Sequence, residues 1–466
     1  MTYYENQFPK SSSVLVPMAV LILLFFMWGF ITCMNDILIP HLKELFELSY
    51  FQAMLVQFAF FGAYFIGSVL YFIISSAYGD PINKIGYKGG IIFGLLISAT
   101  GCFLFYPAEV YGEYYMFLVA LFTLGIGFTL LQISANPYVS VIGDPKGASS
   151  RLNLAQGFNS LGTTLAPVIG GYLIFEFFSK NGEITADSTK IPYLIFGGIF
   201  ILVSVVILGI KLPNLNLESG IQKSRFGALS FPQLRYGVFA IFFYVGAEVA
   251  MGSLIINYLA LPEVLGVNES IGKNYLALYW GGSMIGRFLG AISLNNNIEK
   301  KTKYLYMLLT SLIIFGLLLA LVDLSIKQIF PFLIIVILNV LAFVFGKSKA
   351  TNVLVIFAAI NIILLLLSVF GTLSFSFWFL ISIGLFNSIM WSNIFTLSIN
   401  GLGQYTSQGS SLLVMGILGG AIIPLLQGYL ADTLGLKLSL LLPIICYLYI
   451  LWYGYFINNY FSNLKG

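Results

Sequence analysis

Three charged side chains stand inside otherwise apolar stretches of this sequence: Asp36, Glu248 and Arg287. An ionised group at the centre of a lipid bilayer costs on the order of 2.5–3.5 kcal/mol even on permissive scales, so such residues serve a task. Asp36, in Met34-Asn35-Asp36-Ile37-Leu38, falls toward the outer end of the first stretch. A carboxylate there exchanges a proton with the side it faces, or sits as a helix-end charge among lipid headgroups. Glu248, in Tyr244-Val245-Gly246-Ala247-Glu248, falls near the middle of its stretch. It reads as a proton site, an acceptor for a ligand hydroxyl, or a partner for Arg287. Asp36 and Glu248 are therefore the candidate ion-coupling groups. Arg287, in Gly286-Arg287-Phe288, reads as a structural charge that bonds a carboxylate or the carbonyls at a helix C-terminus.

Uncharged polar residues form a second pattern. Gln132, Ser134 and Asn136 precede Pro137, and Gln132 and Asn136 share a helix face as i and i+4. Asn153, Gln156 and Asn159 follow at spacings of three, and the second half offers Asn257, Asn387 and Asn393. A side-chain amide both donates and accepts, as a sugar hydroxyl does, so amides facing one another suit a polar, uncharged ligand. They also bond helix to helix, for about 1 kcal/mol or less each. Trp28, Trp280 and Trp391 lie within apolar stretches, where an indole packs on the C–H face of a pyranose ring or anchors in lipid. The candidate substrate contacts are Asn35, Asp36, Gln132, Asn136, Gln156, Asn159, Glu248, Asn257, Asn387, Trp391 and Asn393. The single histidine, His41, reads as interfacial.

The elements that position these residues are membrane helices. Of 466 residues, 59% are hydrophobic and 9% charged, against roughly 25% charged in a soluble domain. That excludes a soluble enzyme and a disordered chain, and the unbroken apolar runs exclude an alternating transmembrane barrel. Fourteen runs approach the ~20 residues that a bilayer core requires: about 15–40, 51–78, 89–107, 114–141, 152–178, 191–211, 235–260, 272–294, 303–322, 329–346, 351–370, 374–399, 409–431 and 438–458. The first is longer than the apolar region of a cleaved signal and lacks an upstream basic cluster, so it reads as a span. A polar linker at 212–234 divides an N-terminal bundle, 1–211, from a C-terminal bundle, 235–466. With the N-terminus in the cytoplasm, 15 of the 22 basic residues face inward, 6 face outward, and Arg287 lies in a span. That bias predicts an even number of passages with both termini inside. A net charge of +4, scattered along the chain, gives no nucleic-acid footprint. Cys33, Cys102 and Cys446 lie far apart in apolar runs, with no metal spacing, so no cofactor or metal is expected.

The two halves repeat. Gly62, Gly67 and Leu70 match Gly281, Gly286 and Leu289 at an offset of 219. Gly162, Pro167, Gly171, Tyr172 and Leu173 match Gly419, Pro424, Gly428, Tyr429 and Leu430 at 257, as Asn136 matches Asn393. The offset grows by 38 residues, the length of two short spans and a tight turn, which places an inserted hairpin at about 303–346. Two like-oriented bundles with a site between them are the design of alternating-access transporters.

Longer segments carry a resemblance. Asn35-Asp36-Ile37-Leu38-Ile39-Pro40, Ala135-Asn136-Pro137-Tyr138-Val139, the run Arg151-Leu152-Asn153-Leu154-Ala155-Gln156-Gly157-Phe158-Asn159-Ser160, and Gly384-Leu385-Phe386-Asn387-Ser388-Ile389 resemble the sugar transporters of the major facilitator superfamily, in the fucose/glucose/galactose:proton symporter branch. The loop Asn83-Lys84-Ile85-Gly86-Tyr87-Lys88 looks like a diverged form of the superfamily's basic loop between spans two and three. The resemblance implies an all-α fold of two six-helix bundles, here fourteen spans with the hairpin, or twelve without it. By resemblance Asp36 takes the role of the first-span carboxylate in proton coupling and sugar binding, and Gln156 and Asn159 those of sugar-binding amides. Gln132 falls where fucose-specific members carry a glutamate and the glucose/galactose type a glutamine, with Glu248 a candidate second proton site. The inserted hairpin, and Trp391-Ser392-Asn393 in place of an aromatic-Pro-Thr run, depart from the family pattern. The expected protein is a monomeric cation-coupled hexose importer of the bacterial inner membrane, not an enzyme, with glucose or galactose as substrate and a proton as coupling ion. The alternatives are sodium-coupled uptake of mannose, fucose or an N-acetylhexosamine, and a drug/proton exporter.

Overall fold

The computed structural model describes residues 15–48, 50–144, 147–172, 187–210, 212, 226–267, 269–295, 297–371 and 376–463. Every regular element among them is helical. Lipid offers no partner for a backbone N–H or C=O, and a helix satisfies both within its own segment. The first half folds as α1 (Leu15–Leu45), α2 (Tyr50–Tyr78), α3 (Pro81–Phe103), α4 (Phe105–Tyr111), α5 (Tyr114–Val141), α6 (Ala148–Tyr172) and α7 (Asp187–Gly209). The second half folds as α8 (Pro232–Ala260), α9 (Glu269–Ser293), α10 (Lys300–Leu321), α11 (Ile326–Phe345), α12 (Ala350–Phe370), α13 (Phe377–Asn387), α14 (Met390–Ile399), α15 (Thr406–Met415), α16 (Gly419–Leu434), α17 (Leu436–Ser439) and α18 (Leu442–Asn463).

Twelve helical segments among the described residues are long and apolar enough to cross a bilayer. α3 with α4, α13 with α14, α15 with α16, and α17 with α18 each form one of them. The difference from the fourteen runs of the sequence lies in α6 and α9. Each has 25 residues, but α6 carries Arg151, Asn153, Gln156 and Asn159, and α9 carries Glu269, Lys273 and Arg287. The twelve differ in their surroundings. The Phe377–Ile399 segment is 94% buried, whereas α10 and α11 are 28% and 33% buried and turn most of their apolar surface outward.

Local chemistry sets the helix ends. α3 begins earlier than its apolar run because Asp80 caps it, accepting the Ile82 N–H at 2.9 Å, with Pro81 in the first helical position. The stretch read as a basic loop at Asn83–Lys88 is thus helical, broken only at Gly86, whose φ of 71° favours glycine. The same Asp80 oxygen accepts from the Tyr71 hydroxyl at 2.6 Å, and Ser407 lies near the carboxyl. Burial pushes the Asp80 carboxyl above the ordinary carboxylate range, and these polar neighbours pull it partly back. α11 opens with a capping box between Ser325 and Gln328. The α10–α11 pair is tied down at its base by Lys303, whose Nζ donates to the Ser293 carbonyl at 2.9 Å and to the Ser348 hydroxyl at 3.2 Å.

Packing divides the chain into two units. Unit 1 holds Met1–Asp144, Leu161–Phe231 and Gly401–Leu418; unit 2 holds Pro145–Ser160, Pro232–Asn400 and Gly419–Gly466. In unit 1, Gln408 of α15 donates to the Ser76 hydroxyl at 3.1 Å and accepts the Ala228 N–H at 3.1 Å. In unit 2, the Ser150 hydroxyl of α6 donates to the Ala291 carbonyl at 2.6 Å, and Ser149 meets Thr396 at 2.7 Å. One glycine in each unit permits a very close helix approach. A Cβ on Gly162 would collide with the Phe26 carbonyl of α1, and one on Gly419 with the Phe242 carbonyl of α8.

Candidate functional site

The densest buried chemistry of unit 2 surrounds Arg287. α13 stops at Asn387 and α14 starts at Met390, and this interruption frees the Ser388 carbonyl, which accepts from Arg287 Nε at 3.2 Å. Arg287 Nη1 donates to the Ser160 hydroxyl at 2.6 Å, the Gln156 carbonyl at 3.3 Å and Asn159 Oδ1 at 3.4 Å. Nη2 donates to Glu248 Oε1 at 3.5 Å, with the two side chains 7% and 12% exposed. Tyr244 faces the same Glu248 carboxylate. A buried guanidinium with a carboxylate and several oxygen acceptors is tolerable where a lone charge is not. The sequence left Glu248 three readings; the structure realises the pairing with Arg287.

One layer away lies a network of amides and phenols. Asn387 Oδ1 accepts from Asn361 Nδ2 at 2.9 Å and from the Tyr447 hydroxyl at 2.7 Å. Asn387 Nδ2 donates to the Tyr279 hydroxyl at 3.1 Å, and that hydroxyl donates to the Glu248 carbonyl at 3.1 Å. Asn393 Oδ1 accepts from Asn153 Nδ2 at 3.5 Å, and Asn393 Nδ2 donates to the Ala350 carbonyl at 3.3 Å. Asn361, Tyr279 and Tyr447 were not among the sequence candidates. An amide at the middle of an apolar run, Asn361 within 353–370, was the available signal.

In unit 1 the i, i+4 pair closes as expected: Asn136 Nδ2 donates to Gln132 Oε1 at 3.3 Å, both residues buried. The Tyr64 hydroxyl faces the side chains of Gln132 and Trp28, which gathers an indole, a phenol and two amides in one place. Asn35 on α1 is 0% exposed, and neither its amide nitrogen nor its oxygen has a hydrogen-bond partner among the described residues. A buried amide left unbonded costs 1–3 kcal/mol, which a hydroxyl-bearing ligand would recover. Asp36 lies on the same helix, and its side chain, like that of His41, is outside those described.

The remaining candidates sit as follows. Trp391 is 6% exposed, stacks on Phe395, and its indole N–H lacks a partner among the described residues. Trp280 packs against Tyr279. Asn257, at the far end of α8, is exposed and joins neither cluster. No group of three His, Cys, Asp or Glu side chains able to hold a metal occurs among the described residues.

Comparison with known proteins agrees with this arrangement of polar groups in apolar helices. The model of the Major Facilitator Superfamily matches residues 18–353. A glucose/galactose transporter of Brucella abortus is 42% identical over 439 residues, 93% of this chain and 92% of that protein. An L-fucose-proton symporter of Escherichia coli is 31% identical over 479 residues, 97% of this chain and 96% of that protein. The crystal structure of the major facilitator transporter FucP in the outward conformation superposes with a TM-score of 0.74 at 31% identity, covering 96% of this chain and 99% of that one.

Proposed function

We propose, from the premise that this chain belongs to the major facilitator superfamily, that it imports a hexose, glucose or galactose, by symport with a proton. The observation that carries the reading is the set of amides inside the apolar helices: Asn35 buried and unbonded, Gln132 bonded to Asn136, and Gln156 one helical turn from Asn159. Hydroxyls of a sugar match such donors and acceptors, whereas an apolar or cationic compound does not. The names of the relatives, a glucose/galactose transporter and a fucose-proton symporter, support the same substrate class and coupling ion. Asp36 and Glu248 carry the coupling. Asp36 takes a proton when its site opens outward, the sugar binds, and both are released inward by alternating access.

The architecture we propose has fourteen passages, with α6 and α9 crossing in addition to the twelve apolar segments. At 1.5 Å per residue each is about 37 Å long, enough for a core of about 30 Å. The bundles 1–211 and 235–466 are repeats, and α10–α11 is the inserted pair. Support comes from matched close approaches at both offsets. Gly162 meets α1 as Gly419 meets α8, and Gly67 meets α5 as Gly286 meets α13. Both termini lie in the cytoplasm, in an inner membrane, and the transporter acts as a monomer.

The test uses purified protein in sealed proteoliposomes, with a panel of labelled sugars and independent pH and sodium gradients. The expected result is uphill uptake of D-glucose or D-galactose driven by an inward proton gradient. Asp36→Asn is expected to abolish accumulation while retaining sugar exchange. Normal accumulation in that variant removes Asp36 from coupling, and a dependence on sodium alone replaces the proton. Gln156→Ala is expected to raise the sugar KM; an unchanged KM withdraws Gln156 from the site.

A further inference from the structure

We propose that Arg287 is a positioning residue for sugar binding, and that Glu248 acts on the sugar through Arg287 rather than by touching it. The inference rests on the reading of Gln156 and Asn159 as sugar-binding amides. The geometry behind it lies wholly within unit 2. One guanidinium nitrogen, Nη1, grips three oxygens of a single helical turn: the Gln156 carbonyl, Asn159 Oδ1 and the Ser160 hydroxyl. These residues are spaced i, i+3 and i+4, so the contact fixes both the rotation of α6 and the direction of the Asn159 amide.

The other two nitrogens anchor that grip. Nε holds the Ser388 carbonyl freed by the α13–α14 interruption, and Nη2 meets Glu248. Arg287 thus joins α6, α8, α9 and the α13–α14 break through one rigid planar fork. The Glu248 carboxylate faces Arg287, and its own carbonyl is taken by Tyr279. Its influence on α6 passes through the guanidinium. A lysine at this position keeps the charge beside Glu248 but cannot reach the three α6 oxygens and the Ser388 carbonyl together.

The experiment measures KM and maximal rate of D-glucose and D-galactose exchange in proteoliposomes, alongside thermal unfolding of the purified variants. Arg287→Lys is expected to raise KM by about tenfold, the equivalent of one or two charge-assisted bonds, with the maximal exchange rate within about twofold. Glu248→Gln is expected to raise KM by about threefold alone and by less than about 1.5-fold on top of Arg287→Lys, the non-additivity of groups acting in series. A fall in maximal rate with unchanged KM, or independent multiplying effects of the two substitutions, overturns the proposal. Should Arg287→Lys fail to fold, Ser160→Ala removes the shortest contact without stranding a charge. It is expected to raise KM by about threefold, and an unchanged KM there overturns the proposal equally. Gln156→Ala separates the two levels: an unaltered KM in that variant withdraws the α6 sugar contact on which the proposal rests, whereas an altered one beside a wild-type KM in Arg287→Lys sinks the positioning role alone.

Discussion

Replacing Asn387 by leucine tests whether the amide and phenol network holds unit 2 together. The side chain is 0% exposed and makes three bonds, to Asn361, Tyr447 and Tyr279. Leucine repeats the branched heavy-atom skeleton of asparagine with two bulkier methyls, so any overpacking only adds to the cost of the lost bonds. Interhelical hydrogen bonds in membranes average about 0.6 kcal/mol, and buried bonds in general about 1 kcal/mol, so three give about 2–3 kcal/mol. Most of that arises from two stranded donors, Asn361 Nδ2 and the Tyr447 hydroxyl. Tyr279 still donates to the Glu248 carbonyl. The assay is reversible unfolding in mixed detergent micelles followed by circular dichroism, on Asn387→Leu, Tyr447→Phe and the double variant. Tyr447→Phe alone is expected to cost about 0.6–1 kcal/mol and to cost almost nothing once leucine is in place. A leucine variant within about 0.5 kcal/mol of wild type, or a tyrosine substitution that costs the same in both backgrounds, refutes the reasoning.

Three further outcomes are expected. Gly162→Val and Gly419→Val each drive a Cβ into a backbone carbonyl that cannot swing aside, so folded protein recovered from membranes should fall sharply, by the ~1–3 kcal/mol or more of overpacking; wild-type yield and melting would contradict the close approach. Asp80 carries a raised carboxyl, so its stabilising contribution is fullest below the unfolded value of about 3.9 and is lost as pH rises through the folded one. The melting temperature of Asp80→Asn should therefore gain on wild type as pH rises from about 4, and a constant difference would contradict the burial argument. Asn339→Leu removes one bond from α11 to the Leu385 carbonyl, 3.3 Å away, and should cost no more than about 1 kcal/mol with transport intact.

The helices were legible because lipid demands continuous apolar runs, and most runs became helices within a few residues of where hydropathy put them. Hydropathy was blind at the polar ends. α3 starts at Pro81 because of the Asp80 cap, a signal present in the sequence but overshadowed by the lysines that follow. The run at 374–399 does not reveal that it breaks between Asn387 and Met390, since no proline or glycine marks the place. That break frees the carbonyl that Arg287 fills, so the arginine's purpose was hidden with it. The Gln132–Asn136 pair was readable from i, i+4 spacing alone. The tyrosine partners were not, because an apolar run with tyrosines looks the same whether the hydroxyl meets water, lipid headgroups or an amide twenty or a hundred residues away.

The exchange of helix ends between the packing units bears on how the gene can be divided. A cut in the linker after Leu212 would leave the first fragment with residues 145–160 stripped of α9 and without 401–418, and the second with the opposite loss. Neither fragment would carry a complete set of neighbours: Ser76 would lose Gln408, and Ala291 would lose Ser150. The two halves that the linker divides do not stand as separable folding modules. Two polypeptides made from such a split gene would have to trade helix ends to reassemble, much as swapped protomers do.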